Sequence, residues 1–492
     1  MKLDTHNIAC NLRSKGAARA LSACLLAVVM AAPVAATAAT KWVTSWAASP
    51  QGPYPSASPV AQPTLTTVFP NNAASDQTFR LIVRPDLWTS RTRIHFTNLF
   101  GTQPLTIDGI YVGLQETGAT VVAGTNVPVT VNGASSFTLQ PGNSVWTDAV
   151  TLPFVDGTDL RQGGRKLAIS FHTVGSTGPM TWHGKALQTS YVTDPLSGSL
   201  GASEDDVFPN STTSWYFIDK VDMDAPTDTQ VIVALGDSIT DGTSSTLNGD
   251  DRWPDVLSRR LHAVYGDRVV VVNEGIGGNA IVTPVTYTNQ SGGPSALARV
   301  ARDVMSLSGV TAVIWHEGTN DVSGNTAAQP IMDAMTVIVQ KLRRFFPGVR
   351  IVGTTITSEV LASGFGGGAA AAAERIQLNQ FIKSSGLFDD VADFYGVTTD
   401  PQTGAMWDQF VFNTSTGGAG DHIHPNRAGY LTMGNTVNIA SRIQGLTKTV
   451  DRPLLVTAAV RERAATSFDF EELSAQEVRG IEGRVMIFAV RV

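Results

Sequence analysis

Between residue 41 and about residue 225 the chain alternates apolar and polar positions over short stretches. Phe79–Val83, Arg93–Thr97, Ile107–Val112, Val127–Val131 and Leu167–Phe171 are rich in Val, Ile, Thr and Phe. Clusters such as Phe100-Gly101-Thr102-Gln103-Pro104 and Gln140-Pro141-Gly142-Asn143 separate them. A period of two broken by turn residues predicts short antiparallel strands, and so a β-sandwich, jelly-roll-like domain over residues 39–226. From about 227 the period changes. Val231–Leu235, Val269–Val272, Thr311–Trp315 and Val349–Thr354 read as strands buried on both faces, and Pro254–Val264, Pro294–Met305, Ala328–Phe346 and Ala371–Ser384 read as helices. Strands and helices in alternation predict a parallel, three-layer α/β/α domain over 227–447. Within it, Ser363-Gly364-Phe365-Gly366-Gly367-Gly368 running into five alanines predicts a loop that feeds a helix.

The amino terminus has a different character. Lys2, Arg13, Lys15 and Arg19 precede the apolar run Leu21–Ala36, and Ala36-Thr37-Ala38 suits a signal peptidase, so residues 1–38 are expected to be a leader cleaved after Ala38. The product would then be secreted or periplasmic. Leu21-Ser22-Ala23-Cys24 resembles a lipoprotein box but stands at the start of the apolar run, where such a box has no use. Cys10 and Cys24 are the only cysteines, so the processed chain would have no disulfide or thiol chemistry. The formal net charge of −7 becomes more negative once the basic leader is removed, which argues against nucleic acid or an anionic membrane as partner. No later apolar stretch is long enough to span a bilayer. Oligomeric state is not encoded in these patterns.

The candidate chemistry starts at Gly236-Asp237-Ser238-Ile239-Thr240-Asp241-Gly242, directly after the strand Val231–Leu235. Ligands of parallel sheets bind at the carboxyl ends of the strands, so this turn presents a serine hydroxyl where a nucleophile belongs. An ordinary strand-to-helix turn with Asp or Ser as helix cap has the same composition. The segments that follow decide between them: Asn273-Glu274-Gly275-Ile276-Gly277-Gly278-Asn279, Gly318-Thr319-Asn320-Asp321 and Asp421-His422-Ile423-His424-Pro425. A serine needs an imidazole to take its proton, and the imidazole needs a carboxylate to fix its tautomer. His424 and Asp421 can be that pair. The developing oxyanion needs donors, which the Ser238 backbone N–H, a glycine N–H of the second segment and the Asn320 side-chain amide can supply.

These four segments, in this order, resemble the signature blocks of the SGNH, or GDSL-type, hydrolase family. The resemblance implies a flavodoxin-like strand order. It makes Ser238 the nucleophile, His424 the general base, Asp421 its orienting partner, and Ser238, Gly278 and Asn320 the oxyanion-hole donors, with no cofactor and no metal. Gly278 is preferred to Gly277 because it stands five residues after Asn273, as the family's glycine does. The region opening with Trp42-Val43-Thr44-Ser45-Trp46-Ala47-Ala48-Ser49-Pro50 is similar to the amino-terminal part of a secreted bacterial subgroup of that family. A second resemblance begins near residue 434: Asn438 and Arg442, Arg452–Thr457 and the closing run Glu477–Val490 are similar to the end of a class III adenylate cyclase domain. The half of such a domain that binds metal is absent, which implies a remnant tail over 448–492 without cyclase activity. Val437, Ala440 and Ile443 are expected to pack on the hydrolase sheet all the same.

Other residues have quieter readings. His422 lacks the companions of a metal site, His316 reads as a packing residue at a strand end, and Trp253 reads as core. Trp42, Trp46, Trp88, Trp146, Trp182 and Trp215 read as sandwich core in preference to a sugar-binding platform, and His183 beside Trp182 carries little weight as a substrate contact. The function expected is hydrolysis of carboxylic esters through an acyl-enzyme, the partner being a small-molecule or carbohydrate ester, with short acyl chains favoured because no apolar lid is evident. Alternatives are a carbohydrate O-acetylesterase, an acyltransferase using the same residues, and a carbohydrate-binding protein with an inactive hydrolase scaffold.

Overall fold

The computed structural model describes residues 39–57, 59–155, 164–282, 292–362 and 368–437, with shorter pieces between 455 and 490. The expected leader (1–38), most of the glycine-rich loop (363–367), and Asn438, Ala440, Arg442 and Ile443 lie outside the described residues.

In the amino-terminal region two antiparallel sheets share one apolar core. The first has the strand order Thr40–Ala47, Ile218–Pro226, Arg91–Thr97, Val150–Thr151, and Ser144–Trp146 also pairs with Arg91–Thr97. The second places Ser75–Val83, Leu167–Ser176 and Leu105–Thr117 side by side. Period-two alternation sends Ile94, Phe96, Val221 and Met223 of one sheet, and Phe79, Leu81, Ile107, Val112, Ile169 and Phe171 of the other, into the same core. Each such side chain contributes about 1.5–3 kcal/mol by leaving water. The expected strand Val127–Val131 is shorter than its pattern: only Val127–Pro128 pairs, and Val131 makes an isolated bridge to Ala134. Pro128 has no N–H to continue the ladder.

The carboxyl-terminal half holds a five-stranded parallel sheet in the order Val269–Gly275, Gln230–Gly236, Val310–His316, Arg350–Thr354, Asp390–Ala392. Numbered along the chain this is 2-1-3-4-5, the flavodoxin-like order. Alternate residues serve opposite faces. Val231, Val233, Leu235, Val313 and Trp315 pack with the helices Ala296–Asp303 and Ala328–Phe345. Ala234, Val271 and Ile314 pack on the other face with Trp253 and Leu257 of the helix Trp253–Tyr265 and with Tyr430, Met433 and Val437 of the helix that begins at 427. Trp253 is core, as its place in the sequence suggested, and Val437 packs on the sheet. Among the described residues no helix is long and apolar enough to cross a membrane.

Residues Thr40–Val492 form one compact unit, in which the β-region is joined to the α/β sheet by specific contacts. Val43 and Ala47 enter the apolar cluster of the parallel sheet. The Thr44 and Ser308 backbones are tied by two bonds of 3.0 and 2.9 Å, one of them through the Thr44 hydroxyl. Asp86 accepts from the Val271 amide at 2.6 Å and faces His262 at 3.1 Å. In the tail, Leu455–Thr457, Ile487–Val490 and Phe470–Glu472 make a small antiparallel sheet with Ile487, Phe488 and Ala489 buried.

Candidate active site

The register of the parallel sheet aligns Gly236 with Gly275 on one side and with His316 on the other. The loops after these three strand ends therefore meet. Both glycines are there for space. A Cβ on Gly236 would stand 2.2 Å from the His316 carbonyl oxygen, and one on Gly275 would stand 2.3 Å from the Asp241 nitrogen. After Gly236 the chain turns into the one-turn helix Ser238–Asp241, capped by Asp237, whose side chain accepts from the Ile239 N–H at 2.9 Å. Asp237 is fully buried. That burial, opposed by the Ile239 bond and reinforced by Glu317 and Glu359, holds its carboxyl well above the usual carboxylate range. Ser238 starts the helix, so its own N–H has no acceptor among the described residues.

The second loop is a tight turn closed by the Asn279 N–H on the Ile276 carbonyl at 3.1 Å, with Gly278 at φ 80°. This is the positive-φ position that a type II turn gives to glycine. The Gly277 N–H donates to Asp241 Oδ2 at 2.7 Å, whereas the Gly278 N–H is uncommitted among the described residues. From the third loop, Asn320 Nδ2 donates to the Asn279 carbonyl at 2.8 Å, which fixes the amide plane and leaves its second hydrogen free to donate. Asp321 supports the same turn by accepting from the Ile281 and Val282 amides at 2.7 and 3.0 Å.

The fourth segment crosses from a different part of the chain and completes the arrangement. Ser238 Oγ lies 2.7 Å from His424 Nε2, and His424 Nδ1 lies 2.5 Å from Asp421 Oδ2. The other Asp421 oxygen accepts from the Ile423 and His424 amides at 3.0 and 2.9 Å. Burial works against the Asp421 charge, but the His424 contact and the two amides outweigh it and hold the carboxyl below the usual range. Ser238, His424 and Asp421 thus form one continuous hydrogen-bonded line. His422 stands aside at φ 61° with Nδ1 buried and unpartnered among the described residues. His316 is buried under the sheet end, bonded to Thr354 Oγ1 at 2.7 Å, and burial pushes its pKa down to about 3.

Beneath these loops lies a polar network that sequence reasoning did not find. The fully buried Arg299 guanidinium donates to Asn279 Oδ1 at 2.7 Å and to the Glu274 and Gly236 carbonyls, both at 2.9 Å. It therefore pins two strand ends and the turn between them. Ser49 of the β-region bonds Glu274 Oε2 and accepts from Arg299 at 3.1 Å. Burial, with Asp303 nearby, keeps the Glu274 carboxyl well above its usual range, and burial pushes Glu317 up to about 7. A lone arginine on an amphipathic helix carries no sequence signal of such a role.

Two more side chains come from the β-region. His183 Nδ1 faces the Ser49 carbonyl at 2.9 Å and Nε2 faces Asp241 Oδ1 at 3.1 Å, so a line of bonds runs from the β-region through Asp241 to the Gly277 N–H. Burial alone would lower the His183 pKa, but the Asp241 charge and the Ser49 carbonyl outweigh it and the net shift is upward. Lys185 is buried, and its Nζ donates to Thr243 Oγ1 at 3.0 Å. Of the six tryptophans considered for a platform, Trp46, Trp182 and Trp215 are core, and Trp42 and Trp146 flank the Arg93 guanidinium at 4.6 and 4.2 Å.

Residues 234–431 match the model of the GDSL-like lipase/acylhydrolase family, a span that holds all four segments just described. This stretch is a GDSL-like acylhydrolase domain, and the protein is a carboxylic ester hydrolase. Among solved structures, Est24, a carbohydrate acetylesterase from Sinorhizobium meliloti, is similar over 44% of this chain and 100% of its own, at 16% identity and a TM-score of 0.34. A GDSL-like lipase from Bacteroides thetaiotaomicron VPI-5482 is similar over 45% of this chain and 89% of its own, at 17% identity and a TM-score of 0.31. No curated protein matches the chain significantly.

Proposed function

We propose that the protein is a secreted serine esterase that works through an acyl-enzyme, with short acyl chains preferred. The observation that carries this reading is the unbroken line from Ser238 Oγ through His424 to Asp421, at 2.7 and 2.5 Å, beside three donors uncommitted among the described residues. Ser238 attacks the ester carbonyl as His424 Nε2 takes its proton. Asp421, held ionised, keeps the Nδ1–H tautomer and stabilises the imidazolium. The Ser238 and Gly278 amides and the Asn320 side chain receive the oxyanion, and His424 then returns its proton to the leaving alcohol. Water attacks the acyl-enzyme by the same route in reverse. The Gly277 amide is already engaged by Asp241, which favours Gly278 as the donor. The preference for short acyl groups rests on the lack of an evident apolar lid in the sequence.

The test is hydrolysis of p-nitrophenyl esters of graded acyl length by the full chain and by Ser238→Ala, with product analysis in the presence of added alcohols. The variant is expected to lose several orders of magnitude in kcat while its melting is retained. Undiminished turnover by Ser238→Ala would overturn the mechanism, and ester products formed in preference to free acid would replace hydrolysis by acyl transfer.

A further inference from the structure

Lys185 is an odd residue to find where it stands. It belongs to the β-region, two residues after the strand Thr181–His183, yet its stem lies flat on the turn that carries the proposed oxyanion donor. A Cβ placed on Gly277 would be 2.7 Å from Lys185 Cδ and Cε and 2.9 Å from Nζ. The only hydrogen-bond partner of Nζ among the described residues is the neutral Thr243 hydroxyl, and no carboxylate is in ion-pair contact with it. The Thr243 N–H in turn bonds the Ser238 carbonyl at 3.0 Å. The ammonium is therefore bracketed by the two segments that carry Ser238 and Gly278, with two of its three N–H groups unspent. A buried ammonium left in that condition is costly unless something else completes it.

We propose that Lys185 is a specificity-determining residue that donates to a hydroxyl oxygen on the alcohol portion of the substrate, so that the preferred substrates are acyl esters of neutral polyhydroxyl alcohols. This inference rests on the esterase reading and narrows its substrate class. An ester carbonyl held against Gly278 and Ser238 brings the rest of the substrate alongside Lys185 Nζ. Burial lowers the Lys185 pKa, and the nearby Asp241, Asp421 and Asp237 offset that only in part. A carboxylate on the substrate would meet the like charges of Asp241 and Asp421, which a hydroxyl does not, so the oxygen partner is neutral. The same β-region segment fixes the Gly277 turn through His183 and Asp241, so Lys185 is delivered on a braced support.

The experiment compares the full-length chain with Lys185→Met and Lys185→Arg on three acetates: p-nitrophenyl acetate, a monoacetylated methyl glucoside and 4-acetoxybenzoate. With Lys185→Met the KM for the sugar acetate should rise about tenfold to a hundredfold, the range for losing one charge-assisted bond. Its kcat/KM should fall at least about tenfold further than that for p-nitrophenyl acetate, and Lys185→Arg should recover most of the difference. If Lys185→Met fails to fold, Lys185→Gln gives the same readout with a smaller shift. An equal loss on all three esters would reduce Lys185 to a support for the Gly277 turn and overturn the proposal. So would no loss at all, a larger loss on 4-acetoxybenzoate, or wild-type enzyme that cleaves p-nitrophenyl acetate but not the sugar acetate. Ser238→Ala assayed alongside separates the two levels of inference. Retained turnover in that variant refutes the esterase mechanism itself, whereas its loss leaves the Lys185 comparison to stand alone.

Discussion

Replacing Asp241 tests whether the β-region tunes the oxyanion loop. The carboxylate is buried and divides its oxygens between the Gly277 amide at 2.7 Å and His183 Nε2 at 3.1 Å. Asp241→Ala leaves both partners buried without an acceptor. At about 1–3 kcal/mol for each unsatisfied group, the loss of stability should be about 2–6 kcal/mol. Asp241→Asn has nearly the same shape and can satisfy both: the amide oxygen keeps the Gly277 N–H, and Nδ2 donates to a neutral His183. Only the charge assistance of the two bonds disappears, about 1 kcal/mol each. Turnover should follow. Asp241→Ala frees the Gly277–Gly278 turn and should approach the roughly hundredfold to thousandfold loss of one oxyanion donor, while Asp241→Asn should stay much nearer the parent.

The two proteins should also differ in their response to pH. In the parent the His183 pKa is raised, so the stability it contributes is fully present below its unfolded value of about 6.5 and is lost as pH rises through the folded pKa. In Asp241→Asn the anion is gone and burial favours the neutral ring, so that contribution vanishes. The gap in unfolding free energy, measured by denaturant titration at a series of pH values, should be widest below about pH 6.5 and should narrow as pH rises. Taking the gap cancels other titrating groups, such as Glu274 and Glu317, common to both proteins. A gap that stays constant, or widens towards alkaline pH, would refute the ion-pair account of the His183–Asp241 contact.

Asn320→Ala should lower kcat by roughly a hundredfold to a thousandfold with little change in KM, since its free amide hydrogen serves the oxyanion alone; a change confined to KM in steady-state kinetics would reassign it to substrate binding. In the pH–activity profile, no loss in the neutral to weakly acidic range should trace to protonation of Asp421, because its carboxyl is held below the usual range. His422→Ala should keep that profile, and EDTA should leave it unchanged; activity lost to chelation and restored by a divalent metal would overturn the cofactor-free reading. Truncation near Thr447 should preserve esterase activity, because the four segments end by Pro425 and, among the described residues before the cut, Val437 is the last in the hydrolase core. An inactive or insoluble product would make the tail part of the fold.

Much of this was legible in the sequence because the signals are local. Period-two and continuous apolar runs marked Phe79–Val83 and Val231–Leu235 with no knowledge of partners, and the structure extends the first to Ser75–Val83 and the second to Gln230–Gly236. Other features were not local. The fifth strand, Asp390–Ala392, is three residues long and exists only because Arg350–Thr354 offers it an edge. The bonds of Arg299 span as many as 250 positions, back to Ser49, and nothing in its helix distinguishes it from a surface arginine before the fold assembles. His183 carried little weight beside Trp182, yet its environment is set by Asp241, 58 positions away.

The β-region is therefore more than a separate module that precedes a hydrolase. Glu274 and Asp241 each turn a side chain towards it, and Ser49 and His183 answer them. Without those partners Glu274 would lose its Ser49 bond and Asp241 would keep only the Gly277 amide, at the cost of buried polar groups left under-satisfied. The same contacts brace the loops that carry Ser238 and Gly278. The Gly277–Gly278 turn is held from below by Arg299 through Asn279 and from the side by Asp241 and His183, so the proposed donor at Gly278 is set before substrate arrives. Preorganisation of that kind separates a serine, a histidine and an aspartate that merely touch from a site that can hold an oxyanion. In this chain half of it is built by residues that lie outside the hydrolase motifs.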